Sequence, residues 1–157
     1  QDVKKIAEKG IPILGVCNGF QILVESGLLP GVLLKNDSLN FMCEWTNLTV
    51  ENNKTPFTNK FELNEKIPIP IANGDGRYFV DDETLKQLER KNQIVFKYDQ
   101  VVNGSSNQIA GVCNEDGNVV GMMPHPERAA EPEINPHDNK PSSLIFESLL
   151  KKIGANN

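Results

Sequence analysis

One cysteine stands between two glycines at Gly15-Val16-Cys17-Asn18-Gly19, where a short apolar run gives way to a helical pattern. The run before it, Ile13-Leu14-Gly15-Val16, suits a strand buried on both faces of a parallel sheet. After it, Phe20, Leu23 and Val24, with Ile22 and Leu28 nearby, recur at spacings of three and four, and Gly27 ends the pattern where a helix-terminating glycine belongs. A strand that turns sharply into a helix leaves little room for side chains, so glycines two residues either side of the cysteine fit the G-x-nucleophile-x-G turn. Cys17 is then expected at the carboxyl end of a strand, with its sulfur at a helix start where unpaired N–H groups and the dipole favour thiolate. The N–H of Asn18 would face an oxyanion formed when Cys17 attacks a carbonyl. A lone cysteine in an apolar stretch also reads as a small buried hydrophobe. Chemistry therefore requires a second half elsewhere in the chain.

Met122-Met-Pro-His-Pro-Glu127 supplies one. Prolines of fixed φ hold His125 and Glu127 two residues apart, directly after an apolar strand. In a turn, the carboxylate can grip one imidazole nitrogen while the other faces a nucleophile. Taken alone, the pair also reads as a helix cap or a surface contact. Joined to the cysteine turn, it makes a Cys–His–Glu set: Cys17 attacks, His125 takes and returns the proton, and Glu127 fixes the tautomer and stabilises the imidazolium.

Around these motifs the chain alternates helices and strands. Gln1–Lys9 reads as a helix closed by Gly10, and Asp81–Arg90 as a surface helix with acidic residues first and basic ones last. Residues 41–45, 48–51 and 93–98 have strand character. Ile67-Pro-Ile-Pro-Ile71 carries prolines that cannot donate to a ladder, so it is expected at a sheet edge. Asn73-Gly-Asp-Gly-Arg-Tyr78 is a tight glycine turn without the signature of a phosphate loop. It reads as an ordinary loop or as a turn that brings Arg77 near a polar ligand. Ile109–Cys113 and Val119–Met123 are expected to pair across a hairpin at Asn114–Gly117, and Ser142–Ile153 closes the chain as an amphipathic helix. His137 reads as a solvated loop residue without metal partners.

At 157 residues the chain suits one compact domain. Its net charge of −5, with scattered basic residues, argues against a nucleic-acid partner. The absence of a long apolar run or a leader argues against membrane insertion and secretion. Three cysteines, at 17, 43 and 113, have no paired spacing, which suits free thiols in a reducing compartment such as the cytoplasm.

The wording Gly15-Val-Cys-Asn-Gly-Phe-Gln21 with Pro124-His-Pro-Glu127 resembles the class I, triad-type glutamine amidotransferases. Together with the Asn73-Gly-Asp-Gly-Arg-Tyr78 turn and Gly121-Met-Met-Pro-His-Pro-Glu-Arg128, it is similar within that family to the glutaminase subunits of phosphoribosylformylglycinamidine synthase, of purine biosynthesis. The resemblance runs from about Lys9 to the last helix. It implies an α/β fold with an open, mostly parallel sheet and flanking helices. It also implies hydrolysis of L-glutamine through a γ-glutamyl thioester on Cys17, with His125 and Glu127 as the other catalytic residues. Asn18, Gln21, Gly15, Gly19 and Arg77 are the candidate substrate-binding residues, and neither metal nor cofactor is implied. Ammonia would pass to a larger ATP-dependent synthetase subunit, with a small accessory subunit as a further partner. Two departures stand out: Asn73 occupies a position where many relatives have His, and the family's first strands and glycine-rich oxyanion loop would precede Gln1. Residues 1–157 are accordingly expected to be a single amidotransferase domain, incomplete at its N-terminus. A different thiol hydrolase, such as a γ-glutamyl hydrolase or peptidase, and a non-catalytic interaction module are the alternatives.

Overall fold

The computed structural model describes residues 2–37, 42–129 and 143–154. Helix α1 (Asp2–Glu8) leads into strand β1 (Ile13–Val16) and helix α2 (Asn18–Glu25). Strands β2 (Val32–Leu34), β3 (Met42–Val50), β4 (Lys66–Asn73) and β5 (Arg77–Phe79) follow. Helix α3 (Asp82–Arg90), strands β6 (Ile94–Tyr98), β7 (Ile109–Cys113) and β8 (Val119–Met122), and helix α4 (Ser143–Lys152) complete the set. His137 lies outside the described residues.

Among the described residues, six strands form one sheet in the order β1-β8-β7-β6-β3-β4, and β2 pairs with β5 in a separate ribbon. This corrects the expectation of a mostly parallel sheet. Only β1 and β8 run parallel; β8–β7, β7–β6, β6–β3 and β3–β4 are all antiparallel. Parallel neighbours need a crossover of a dozen or more residues, usually helical, whereas β7 returns as β8 after only the short turn from Asn114 to Asn118. Fold class is still α/β, with β1–α2 as its parallel-type unit.

Each face of the sheet is covered. On one side, Leu48, Ile67, Ile69, Phe96 and Tyr98 pack with Phe57, Phe61 and Ile145 of α4. On the other, Phe20 and Leu23 of α2 and Leu88 of α3 pack with Ile94, Ile109, Val112 and Val119. Helix α2 ends as its sequence prescribes: Gly27 takes φ +73°, its N–H donates to the Val24 carbonyl, and the Leu28 N–H reaches back to Leu23. Helix α3 starts on Asp81, whose side chain accepts from the Thr84 N–H at 2.7 Å.

Strand β4 lies at the sheet edge, as its prolines demand. Its outer side is nevertheless occupied, because the His125 N–H donates to the Pro70 carbonyl at 3.0 Å. This bond requires a curled sheet. Only two residues, Met123 and Pro124, separate Met122, at the end of β8, from His125, a reach of at most ~11 Å. Four strand spacings in a flat sheet would put β4 ~19 Å from β8.

Candidate active site

Cys17 has φ 53° and ψ −108°, a left-handed backbone that a residue with a side chain rarely adopts. The position is held from both sides. The Cys17 N–H continues the β1–β8 ladder by donating to Met122 at 2.9 Å, and the Cys17 carbonyl accepts from Gln21 at 3.1 Å as the first bond of α2. The strain is thus held between a strand end and a helix start, and the half-buried side chain packs against the cluster that contains Phe20, Leu23 and Met123.

The two flanking glycines do different things. A Cβ on Gly15 would come within 2.7 Å of the Gly19 carbonyl oxygen, so α2 can seat on β1 only because Gly15 has none. A Cβ on Gly19 would meet open space. The close approach that the pattern predicted belongs to Gly15 and to a residue the pattern did not include, Gly121. Gly121 is the register partner of Gly15 on β8, and a Cβ there would drive into Phe20 and Leu29.

Burial pushes the Cys17 thiol above its ordinary value, against the downward pull of the Asn18 N–H and the Arg128 guanidinium, and the Glu127 carboxylate adds to the rise. The helix start acts in the expected direction but is outweighed, so Cys17 rests as a thiol. Tyr98 is close enough to share this field. Burial pushes its phenol well above the usual range, Asn103 opposes that, and Cys17 adds to it.

The candidate base is the histidine that follows β8. His125 is buried, and its Nδ1 lies 2.6 Å from Glu127 Oε1. Nε2 is also buried and has no hydrogen-bond partner. A carboxylate that holds Nδ1–H leaves Nε2 with a lone pair, the arrangement a general base requires. Parallel pairing of β1 with β8 sets Val16 beside Met122, so Cys17 and the His125 segment leave neighbouring strands at the same end. Neither residue predicts that adjacency by itself.

Cys17, Asn18 and Gln21 line a cavity of about 140 Å³ with Leu33, Gly74, Asp75 and Met123. Gln21 Nε2 donates to Glu25 at 2.8 Å, which leaves its carbonyl oxygen as the group free to accept. Arg77 is not in this lining. Its guanidinium pairs with Asp37 at 2.7 Å, and its Nε donates to the Gly104 carbonyl at 3.1 Å. The lining residues that sequence reasoning did not single out are Leu33, Gly74, Asp75 and Met123. Asp75 was within sight, since it occupies the middle of the Asn73–Tyr78 glycine turn. Four larger hollows, of about 510, 650, 250 and 350 Å³, contain none of Cys17, His125 and Glu127. Among the described residues no group of three or more His, Cys, Asp or Glu could hold a metal ion. No helix among them is long and apolar enough to cross a membrane.

The chain is similar to known proteins over nearly all its length. It superposes on a chain in the structure of PurLQS from Thermotoga maritima with a TM-score of 0.84 and 51% identity, covering 96% of this chain and 66% of that one. It also superposes on a glutamine amidotransferase from Thermotoga maritima with a TM-score of 0.54 and 17% identity, covering 98% of this chain and 51% of that one. The second likeness is one of fold. Residues 1–151 match the family of CobB/CobQ-like glutamine amidotransferase domains, and the chain belongs to that family.

Proposed function

We propose that this chain is the glutaminase of an ATP-dependent amidotransferase assembly that makes formylglycinamidine ribonucleotide in purine biosynthesis in the cytoplasm. The observation that carries the reading is that a strained cysteine elbow and a buried imidazole, whose Nδ1 is held by a carboxylate and whose Nε2 is unpaired, leave neighbouring parallel strands at the same end. The 51% identity to a chain of the PurLQS structure supports the choice of assembly, with a larger synthetase subunit and a small accessory subunit as partners.

The mechanism follows from the protonation states. Glutamine enters the cavity with its side-chain amide over Cys17. His125 Nε2 takes the thiol proton as the sulfur bonds to the amide carbon, and the resulting oxyanion is met by the Asn18 N–H. Glu127 stabilises the imidazolium. His125 returns the proton to the departing nitrogen, ammonia leaves, and a γ-glutamyl thioester remains on Cys17. Water, deprotonated by His125, then releases glutamate and the free thiol.

The cavity beside Cys17, of about 140 Å³, has room for a single amino acid side chain. The test is to treat the chain, alone and with its synthetase partner, with a glutamine-shaped electrophile and locate the adduct by mass spectrometry. Modification at Cys17 that glutamine blocks supports the reading. Equal labelling of Cys43 and Cys113, or no protection by glutamine, would overturn it.

A further inference from the structure

The turn between β4 and β5 is held with more care than a plain connection needs. Two asparagines from different loops clamp it, Asn36 and Asn103, both almost wholly buried. Asn36 accepts from the Gly76 N–H through its side chain at 3.1 Å, and its own N–H donates to the Gly74 carbonyl at 2.9 Å. Asn103 Nδ2 donates to the Gly76 carbonyl at 2.7 Å, while its Oδ1 accepts from the Ser105 N–H and hydroxyl. Arg77, just beyond, is tied to Asp37 and Gly104. Burying two amides is costly unless each is satisfied, so the turn between them is set in one position.

What that position presents is Asp75. It is exposed, and among the described residues it is the one charged member of the Cys17 cavity lining, whose other members are Asn18, Gln21, Leu33, Gly74 and Met123 besides the cysteine. A carboxylate carried on a clamped turn at the rim of an amino-acid-sized cavity selects for a cation on the ligand. In glutamine that cation is the α-ammonium, four bonds from the carbon that Cys17 would attack.

We propose that Asp75 is the specificity residue that receives the α-ammonium of glutamine, with the Gln21 carbonyl oxygen, in the same lining, as a second acceptor; this rests on the glutaminase reading above. The assignment explains why the turn is clamped. A carboxylate on a mobile loop would pay an ordering cost at each binding event, whereas a pre-set one discriminates without it.

The experiment compares two diazoketone probes that alkylate Cys17, one shaped as L-glutamine and one identical but without the α-amino group, on the full chain with its synthetase partner. Adduct formation at Cys17 is followed by mass spectrometry. The unsubstituted protein is expected to react about 10-fold or more faster with the amino-bearing probe. Asp75→Asn should erase most of that preference by slowing the amino-bearing probe alone, and Asp75→Glu should restore part of it. Equal slowing of both probes by Asp75→Asn would mean that the residue only supports the turn, and an unchanged preference would mean that the α-ammonium is read elsewhere; either result overturns the assignment. Absence of any glutamine-blockable adduct on Cys17 in the unsubstituted protein would instead sink the glutaminase reading, and this inference with it.

Discussion

Gly15 and Gly121 stand side by side on the parallel strands β1 and β8, and helix α2 rests on both. Cys17 owes its position to this contact, because the helix that begins just after it can approach the sheet only where two neighbouring residues lack side chains. Gly15→Ala must push against the Gly19 backbone, which cannot rotate away as a side chain can. Gly121→Ala must push against Phe20 and Leu29. Each is expected to cost about 1–3 kcal/mol in urea unfolding and to slow Cys17 alkylation. Gly19→Ala meets open space and gains helix propensity, so stability is expected to hold or rise by up to ~1 kcal/mol. A large loss there would show that the pattern's two glycines are sterically equivalent after all.

The His125–Glu127 contact predicts a split between chemistry and binding. Glu127→Gln keeps the shape but removes the charge that stabilises the imidazolium, and a drop of about 10²–10⁴ in kcat is expected with KM for glutamine little changed. Steady-state glutamate release measures both. Unchanged kcat would mean that the carboxylate is only a surface partner.

Cys113 is buried in β7, and burial pushes its thiol up to about 11. Above about pH 9 an unfolded thiol sheds its proton while the folded one keeps it, so stability is full below that pH and falls as pH rises toward 11. Cys17, also raised, adds to the fall, and the buried tyrosines Tyr78 and Tyr98 join from about pH 10. Cys113→Ala should flatten the decline of unfolding free energy between pH 9 and 10 relative to the unsubstituted chain. Parallel curves would exclude the thiol as a source.

Asn103 offers a test of the clamped turn that is independent of substrate. Asn103→Ala strands the buried Gly76 carbonyl and frees Ser105, so a loss of about 1–3 kcal/mol is expected. Chemical denaturation reads this directly. A loss below about 0.5 kcal/mol would mean that water takes over the bond.

Much of the site was legible because it is local. Strand, turn and helix around Cys17 are each coded within a few residues, and the proline-braced His125–Glu127 pair needs only a two-residue turn. The prolines of β4 likewise announced an edge strand. The thiol's protonation was read in the wrong direction, since burial, which outweighs the helix start, is set by residues far away in sequence. Arg77 was singled out for its glycine neighbours, yet its partner is Asp37, forty residues earlier, and the residue its turn brings to the cavity is Asp75.

By itself the amino-acid sequence determined the local elements: which segment turns sharply, which cysteine stands at that turn, and which imidazole is braced by a carboxylate. Those properties depend on backbone sterics and short-range spacing. Tertiary structure decided the antiparallel sheet, the register that sets Gly15 against Gly121, and the curl that returns His125 to the edge of β4. Strand pairing is a contest among distant segments whose hydrogen bonds are chemically alike, and it is won by packing on both faces at once, which no single stretch of chain encodes.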